Sequence, residues 1–338
     1  MKSKGEPFMS RRKTILCFFV INLAASAASA IELRKKFEKD QSRTSQWTVN
    51  FEGHLDVEGT KRMIGSATGV ANVRLSQTVV DVDSGNIATL RNRIEEFGVR
   101  LDGEADTGDG ISHLQYEIDQ NGGTIITDGE SKPIPADFLK DISEKTYNVK
   151  MNSLGATVGF SLDSSEMGLG EAEKVGDIAD QVSEFLGKSP QLPEQSVEVG
   201  DKWESDFDVK EMSKKLSEGN PMLPPDSVIG IDNVKTIHTF REIREEDGQQ
   251  IAVIESRSEF EWNDGNISLG FLKLEIKTLG VSSESIIELN NTAGYAPRST
   301  SVTQIEIKAD ITTATSAGEP GTYEINGELS FESEASCY

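Results

Sequence analysis

The chain has 338 residues, enough for one large β domain or two of ordinary size. Its 57 acidic residues against 34 basic ones give a formal charge of −23, a surface that repels nucleic-acid phosphates and anionic lipid headgroups and so argues against both as partners. With two cysteines and three histidines it offers neither a disulfide scaffold nor a cysteine-built zinc site.

The N-terminus names a destination. Arg11-Arg12-Lys13 is a basic segment, Thr14 to Leu23 an apolar core, and Ala28-Ser29-Ala30 a small-residue cleavage site. Residues 1–30 therefore read as a Sec-type signal peptide cut after Ala30, with Met9 as an alternative start. The apolar run is too short to span a bilayer, and no later run is long enough for a membrane helix. Cys17 lacks the small residue before it that a lipoprotein anchor requires. The expected location is the periplasm or the medium. An outer-membrane barrel would need aromatic girdles and a lipid-facing apolar row on every strand. The 7% aromatic content argues against one, so the mature chain is expected not to be an integral membrane protein. Cys337 is then its single cysteine and cannot form an internal disulfide.

Residues 31–44 are charged and read as a loose terminus or a short helix. Strand patterns follow. Trp47, Val49, Phe51, Leu55 and Val57 alternate with Gly53 in register, and Ala71, Val73 and Leu75 begin a run that continues to Val82. Asp83-Ser84-Gly85-Asn86 reads as a hairpin turn into Ile87 to Leu101. Asp102 to Gly110 reads as a polar loop. Its Asp102, Glu104, Asp106 and Asp109 place oxygen ligands in a pattern that suits calcium weakly, since Thr107 stands where an EF-hand needs glycine and His113 where it needs glutamate. A solvated hairpin loop is the competing reading. Leu114, Tyr116 and Ile118 form the next strand, turned at Asn121-Gly122.

Ile134 to Leu139 looks like a short helix, and Tyr147 to Leu162 like a hairpin turned near Asn152 to Gly155. The strongest helical pattern is 170–187. There Val175, Ile178, Ala179, Val182, Phe185 and Leu186 fall on one face, and Gly187 and Pro190 stop the run. A joint follows at Gln191 to Trp203. Pro193 ends one element, Val197, Val199 and Trp203 start another, and Gly200-Asp201 interrupts with a turn or bulge. Val209 to Leu216 reads as a further short helix. The second β block is cleaner, with turns expected at Asp247-Gly248, at Asp264-Gly265 and over Asn290 to Gly294. Tyr116 to Ile125, Tyr147 to Ala156 and Ile287 to Tyr295 share one strand–turn–Gly–strand pattern. The reading is a mainly β fold with a minority of helix: two antiparallel, curved sheets with one main amphipathic helix. Its parts are a β-rich half over 31–190 and an antiparallel β half over 191–338.

The stretch Leu192-Pro193, Val197, Val199-Gly200-Asp201 and Trp203 resembles a joint found in a group of uncharacterised secreted bacterial β-rich proteins. The pattern is Leu-Pro-x-x-x-Val-x-Val-Gly-Asp-x-Trp, and the likeness extends from the strand before Tyr147 to Gly294. It implies an exported β-rich protein of no known activity and supplies no catalytic residue.

Chemistry is sparse. His54, His113 and His238 stand far apart, with no H-E-x-x-H. There is no G-x-S-x-G, no phosphate loop and no G-x-G-x-x-G. Trp47, Trp203 and Trp262 all sit in strand-like alternation, which suits core packing better than a sugar cleft. No cofactor and no catalytic residue is expected. The favoured function is an exported, non-catalytic protein binding a lipid-like or peptide ligand in a groove of a curved sheet. The alternative is a structural or interaction protein of the envelope with a filled core, and a hydrolase comes third. A connected void of a few hundred cubic ångströms separates the first two.

Overall fold

The computed structural model describes residues 30–59, 62–106, 108–134, 146–162, 192–207, 228–229, 234–269, 272–314 and 320–338. Their strands are β1 (Ser42–Glu58), β2 (Met63–Val82), β3 (Ala88–Asp106), β4 (Ile111–Asp119), β5 (Gly122–Thr127), β6 (Glu130–Ile134), β7 (Thr146–Met151) and β8 (Thr157–Leu162) in the first half. In the second half they are β9 (Lys202–Phe207), β10 (Val228–Ile229), β11 (Val234–Glu246), β12 (Gln249–Leu269), β13 (Leu272–Asn290), β14 (Tyr295–Ala314) and β15 (Pro320–Cys337). All 15 belong to one antiparallel sheet, in the order β6-β5-β4-β3-β2-β1-β15-β14-β13-β12-β11-β9. β7 and β8 continue from the lower half of β3, and β10 adds to β12.

The expectation of two sheets with one main helix is thus corrected. The first and last strands pair from Ser45↔Cys337 to Glu58↔Glu324, and that seam fuses the halves into a single sheet. Among the described residues there is no helix. The helix expected at 170–187 lies outside the described residues, as do the short helices expected beyond Ile134 and from Val209.

Directly opposed residues of an antiparallel ladder share a face. One register row runs Trp203, His238, Ser256, Ser285, Ser301, Ser333, Val49, Ala71, Val99, Ile118 across ten strands. Apart from His238 it is small or apolar throughout, and His238, Ser256 and Ile118 are buried. The adjacent row, pointing the other way, runs Arg257, Glu284, Val302, Glu332, Asn50, Val70, Arg100, Glu117. The sheet therefore has an apolar inner face and a charged outer face. Ion pairs such as Arg244–Glu288 and the Arg241–Glu255–Arg257 group decorate the outer one.

The turns follow their residues. Asp247 and Gly248 both take positive φ (51° and 74°), as a two-residue hairpin requires. Asp83 caps its own turn by accepting the N–H groups of Gly85 and Ile87. The turn expected at Asp264-Gly265 does not exist. β12 runs straight through it, paired with β13, because the Trp262 indole lies where a side chain at position 265 would stand. The glycine makes room for an aromatic ring within the strand.

Residues 31–41, expected to be loose or helical, form an extended strap across the inner face. Ile31 exchanges both backbone hydrogen bonds with Val197, Lys35 N–H donates to Ser153 O, Lys36 N–H to Gly294 O and Asp40 N–H to Val79 O. Leu33 is fully buried against Phe240, Ala252, Ile254 and Leu289, with Val197 alongside. Phe37 packs on Val79, Ala88 and Leu90. The alternation of Ile31, Leu33 and Phe37 is what turns the strap's apolar side inward. Removing a side chain buried like Leu33 costs about 2–5 kcal/mol.

Candidate functional site

A cavity of about 230 Å³ lies between the strap and the inner face. Its walls come from seven neighbouring strands: Trp203 of β9, His238 of β11, Ile254 of β12, Ile287 and Leu289 of β13, Ala296 and Ser299 of β14, Ala335 to Cys337 of β15, and Ser45 and Trp47 of β1. Lys35 of the strap and Leu192 of the joint complete the lining. Seven strands laid flat would span roughly 29 Å at about 4.8 Å per spacing. A cavity this small touches all of them only if the sheet rolls around it. Rolling is favoured by the small residues at its middle: Trp47, Ala335, Ser299, Ile287 and Ile254 form one register row, with Ala335 and Ser299 leaving the gap. Trp262 is buried elsewhere, in a second cluster with Ile276 and Ala309, while Trp47 and Trp203 border the void.

One wall carries a closed polar relay. His238 is fully buried, stacked on Trp203 with ring centroids 5.4 Å apart, and bonded to Ser256 Oγ through Nδ1 (2.7 Å) and to Ser205 Oγ through Nε2 (2.8 Å). A neutral imidazole donates from one nitrogen and accepts at the other, so one serine receives a proton and the other gives one. Burial lowers the His238 pKa to about 4, and the ring is neutral at physiological pH. Both its nitrogens are occupied, so it is a structural group and not a free base.

The other end of the cavity is cationic. Lys35 lies along Gly155, and its Nζ meets the Met151 sulfur at 3.5 Å. Burial, and then the nearby Arg43 charge, lower its pKa, while Cys337 opposes them. Part of the Lys35 side chain remains accessible. Arg43 sits 4.4 Å over the Tyr295 ring and donates to Gln41 Oε1 and Ala293 O. Burial pushes the Cys337 thiol up, against the pull of Arg43 and Lys35, and keeps it protonated at neutral pH.

The residues singled out as calcium candidates sit elsewhere. Asp102, Glu104 and Asp106 are not in a loop but in β3, at alternate positions on the outer face, about 7 Å apart along the strand. Each carboxylate already has a partner: Arg100 for Asp102 (3.3 Å), His113 for Glu104 (3.2 Å), and the Gly108 N–H for Asp106. Asp109 lies in the turn beyond them. Among the described residues no three His, Cys, Asp or Glu side chains gather as a metal site. The outer face holds a shallow trough of about 810 Å³ that includes His54, Asp56, Glu259, Glu306 and Glu328. The three histidines thus occupy three separate places. Sequence reading missed Lys35, Arg43 and Cys337 as a group. The strap's alternation, with Lys35 in register with Leu33 and Phe37, was the signal that could have shown them.

No protein-family model matches the chain, and neither does any curated protein. Among solved structures the fold aligns with Pseudomonas aeruginosa OccK7 (OpdD) at a TM-score of 0.22 and 7% identity, covering 88% of this chain and 99% of that one. It aligns with Pseudomonas aeruginosa OccK2 (OpdF) in complex with glucuronate at a TM-score of 0.17 and 7% identity, over 92% and 99%. The transport unit of the autotransporter AIDA-I from Escherichia coli follows at 0.12 and 10% identity, over 92% and 96%. Set against these structures, the expectation that the chain is not an integral membrane protein is withdrawn. TM-scores this far below 0.5 carry no argument about what this chain does.

Proposed function

We propose that the chain is an exported, non-catalytic protein of the cell envelope that holds an apolar ligand between its strap and the inner face of its sheet. The observation that supports this reading is the cavity itself. Trp203, Ile254, Ile287 and Leu289, with the exposed ring of Trp47 at the rim, line a pocket of about 230 Å³ that opens to solvent. Its apolar wall makes few dispersion contacts when empty, and a ligand would supply them. The alternative, a filled-core interaction protein, has no use for it. Enzyme chemistry has no support in the site, where His238 is bound at both nitrogens and the Cys337 thiol is kept protonated.

Native mass spectrometry of the full chain, produced with its leader and purified from the envelope fraction, tests the reading. The expected result is a bound mass removed by organic extraction, or restored by incubation with octanol. A bare mass that stays bare after that incubation would contradict it.

A further inference from the structure

We propose that the ligand held in this cavity is a short alkyl chain with a compact anionic head, a carboxylate or a phosphate, and that Lys35 contacts the head with Arg43 as the supporting charge. This rests on the ligand-binding reading above and adds the head-group chemistry.

The argument begins with a broken pattern. In the strap, Ile31, Leu33 and Phe37 point inward and pack on the sheet. Lys35 holds the same phase, and its side chain lines the cavity between the two apolar anchors. A lysine at a core-facing position of an alternating segment runs against burial preference and needs a partner. Among the described residues, Lys35 and Arg43 form no ion pair, and the side-chain hydrogen bond of Lys35 goes to the weakly accepting Met151 sulfur. This is unusual in a chain with 57 acidic residues, whose outer-face arginines are repeatedly paired with glutamate.

Arg43 lies close enough to act on Lys35. Arg43 lowers the Lys35 pKa, and both act on the Cys337 thiol, which lines the cavity. The thiol is no counter-ion at neutral pH, because burial holds it protonated. Lys35 stands in the cavity wall with no carboxylate bonded to it, and Arg43, outside the lining and eased by Glu38, adds positive charge behind it; this leaves a place for an anion brought in from outside. The remaining lining is mostly apolar and suits a hydrocarbon. A void of about 230 Å³ suits a short alkyl chain, and octyl compounds serve as its probes. The acidic outer face does not oppose this, since the site is screened from it by the sheet.

Calorimetric titration of the full, exported chain with four octyl compounds tests the inference: octanoate, octyl phosphate, octanol and octyltrimethylammonium. The expected result is that octanoate or octyl phosphate binds at least about tenfold tighter than octanol, and octyltrimethylammonium weakest. The order of the two anions decides between carboxylate and phosphate. Lys35→Met should bring the anions down to the affinity that the same variant shows for octanol, Lys35→Arg should restore the preference, and Arg43→Gln should weaken it. Equal binding of octanol and both anions, or a preference that survives Lys35→Met, overturns the anionic head and leaves the apolar ligand standing. Binding of none of the four overturns both.

Discussion

Lowering the pH from 7.5 to 5 should destabilise this protein through His238 alone by about 2 kcal/mol. The ring has no exposed surface, and its pKa is held at about 4 by burial, against an ordinary value of 6.5. Above pH 6.5 the ring is neutral in both folded and unfolded chains, and the difference contributes nothing adverse. As the pH falls below 6.5, the unfolded chain takes up a proton that the folded chain refuses. Stability is lost progressively until the folded ring protonates near pH 4, to a total of about 3 kcal/mol. Hydrogen bonding does not cause the shift, since Ser205 and Ser256 could both accept from an imidazolium. Desolvation does, with no bonded carboxylate to offset it. Urea unfolding followed by tryptophan fluorescence at both pH values, for the parent and for His238→Gln, isolates the effect, because the chain's many carboxylates titrate alike in both proteins. The parent should lose about 2 kcal/mol more than the variant between pH 7.5 and 5. Equal losses would refute the desolvated, neutral ring.

Other consequences follow from the strap and the joint. Trp203→Ala should lower stability by roughly 2–3 kcal/mol, less than for a fully enclosed indole, because Trp203 is half-buried against the Leu33 cluster. A thermal melt should fall by several degrees, and an unshifted melt would mean the ring is only a cavity wall. Gly294→Ala should loosen the strap: Gly294 has φ of 73°, and a methyl group there would stand 2.7 Å from Lys36 Cα. Limited trypsin digestion should then cut after Lys35 or Lys36 markedly faster than in the parent, and unchanged cutting would dissociate that turn from strap docking. Processing after Ala30 would place a new amino group at Ile31, whose backbone nitrogen already donates to Val197 O. N-terminal sequencing of the exported protein should read Ile-Glu-Leu, and a start at Met1 or Met9 would refute the cleavage site.

Much of the sheet was legible because its faces differ so strongly. Alternation of Trp47 to Val57 against Gln46 to Asp56 marks β1 without any structure, and Asp247-Gly248 marks the β11–β12 hairpin through backbone chirality. Pairing of distant strands was not legible. Nothing in Trp47 or Ala335 says that they oppose one another across almost the whole chain, and that seam is what makes two expected sheets one. Asp264-Gly265 misled for a local reason: the same dipeptide that closes a tight turn also makes room for the ring of Trp262 inside a strand. The candidate site was the least legible part. Reading residues 31–44 by their charge hid the apolar alternation beneath it, and with it the inward Lys35. Asp102, Glu104 and Asp106 attracted notice by composition, yet their strand spreads them along the outer face.

Filling the cavity tests the central claim most directly. Ser299 lies in the row between Ala335 and Ile287, on the cavity wall, and Ser299→Phe would place a ring in the void without disturbing Lys35 or His238. Octanoate and octanol titrations of the parent and of this variant, each checked for folding by a thermal melt, give the answer. The account predicts a folded variant, melting no lower than the parent by more than a few degrees, that has lost binding of both compounds. A folded Ser299→Phe protein that binds them as the parent does would contradict it.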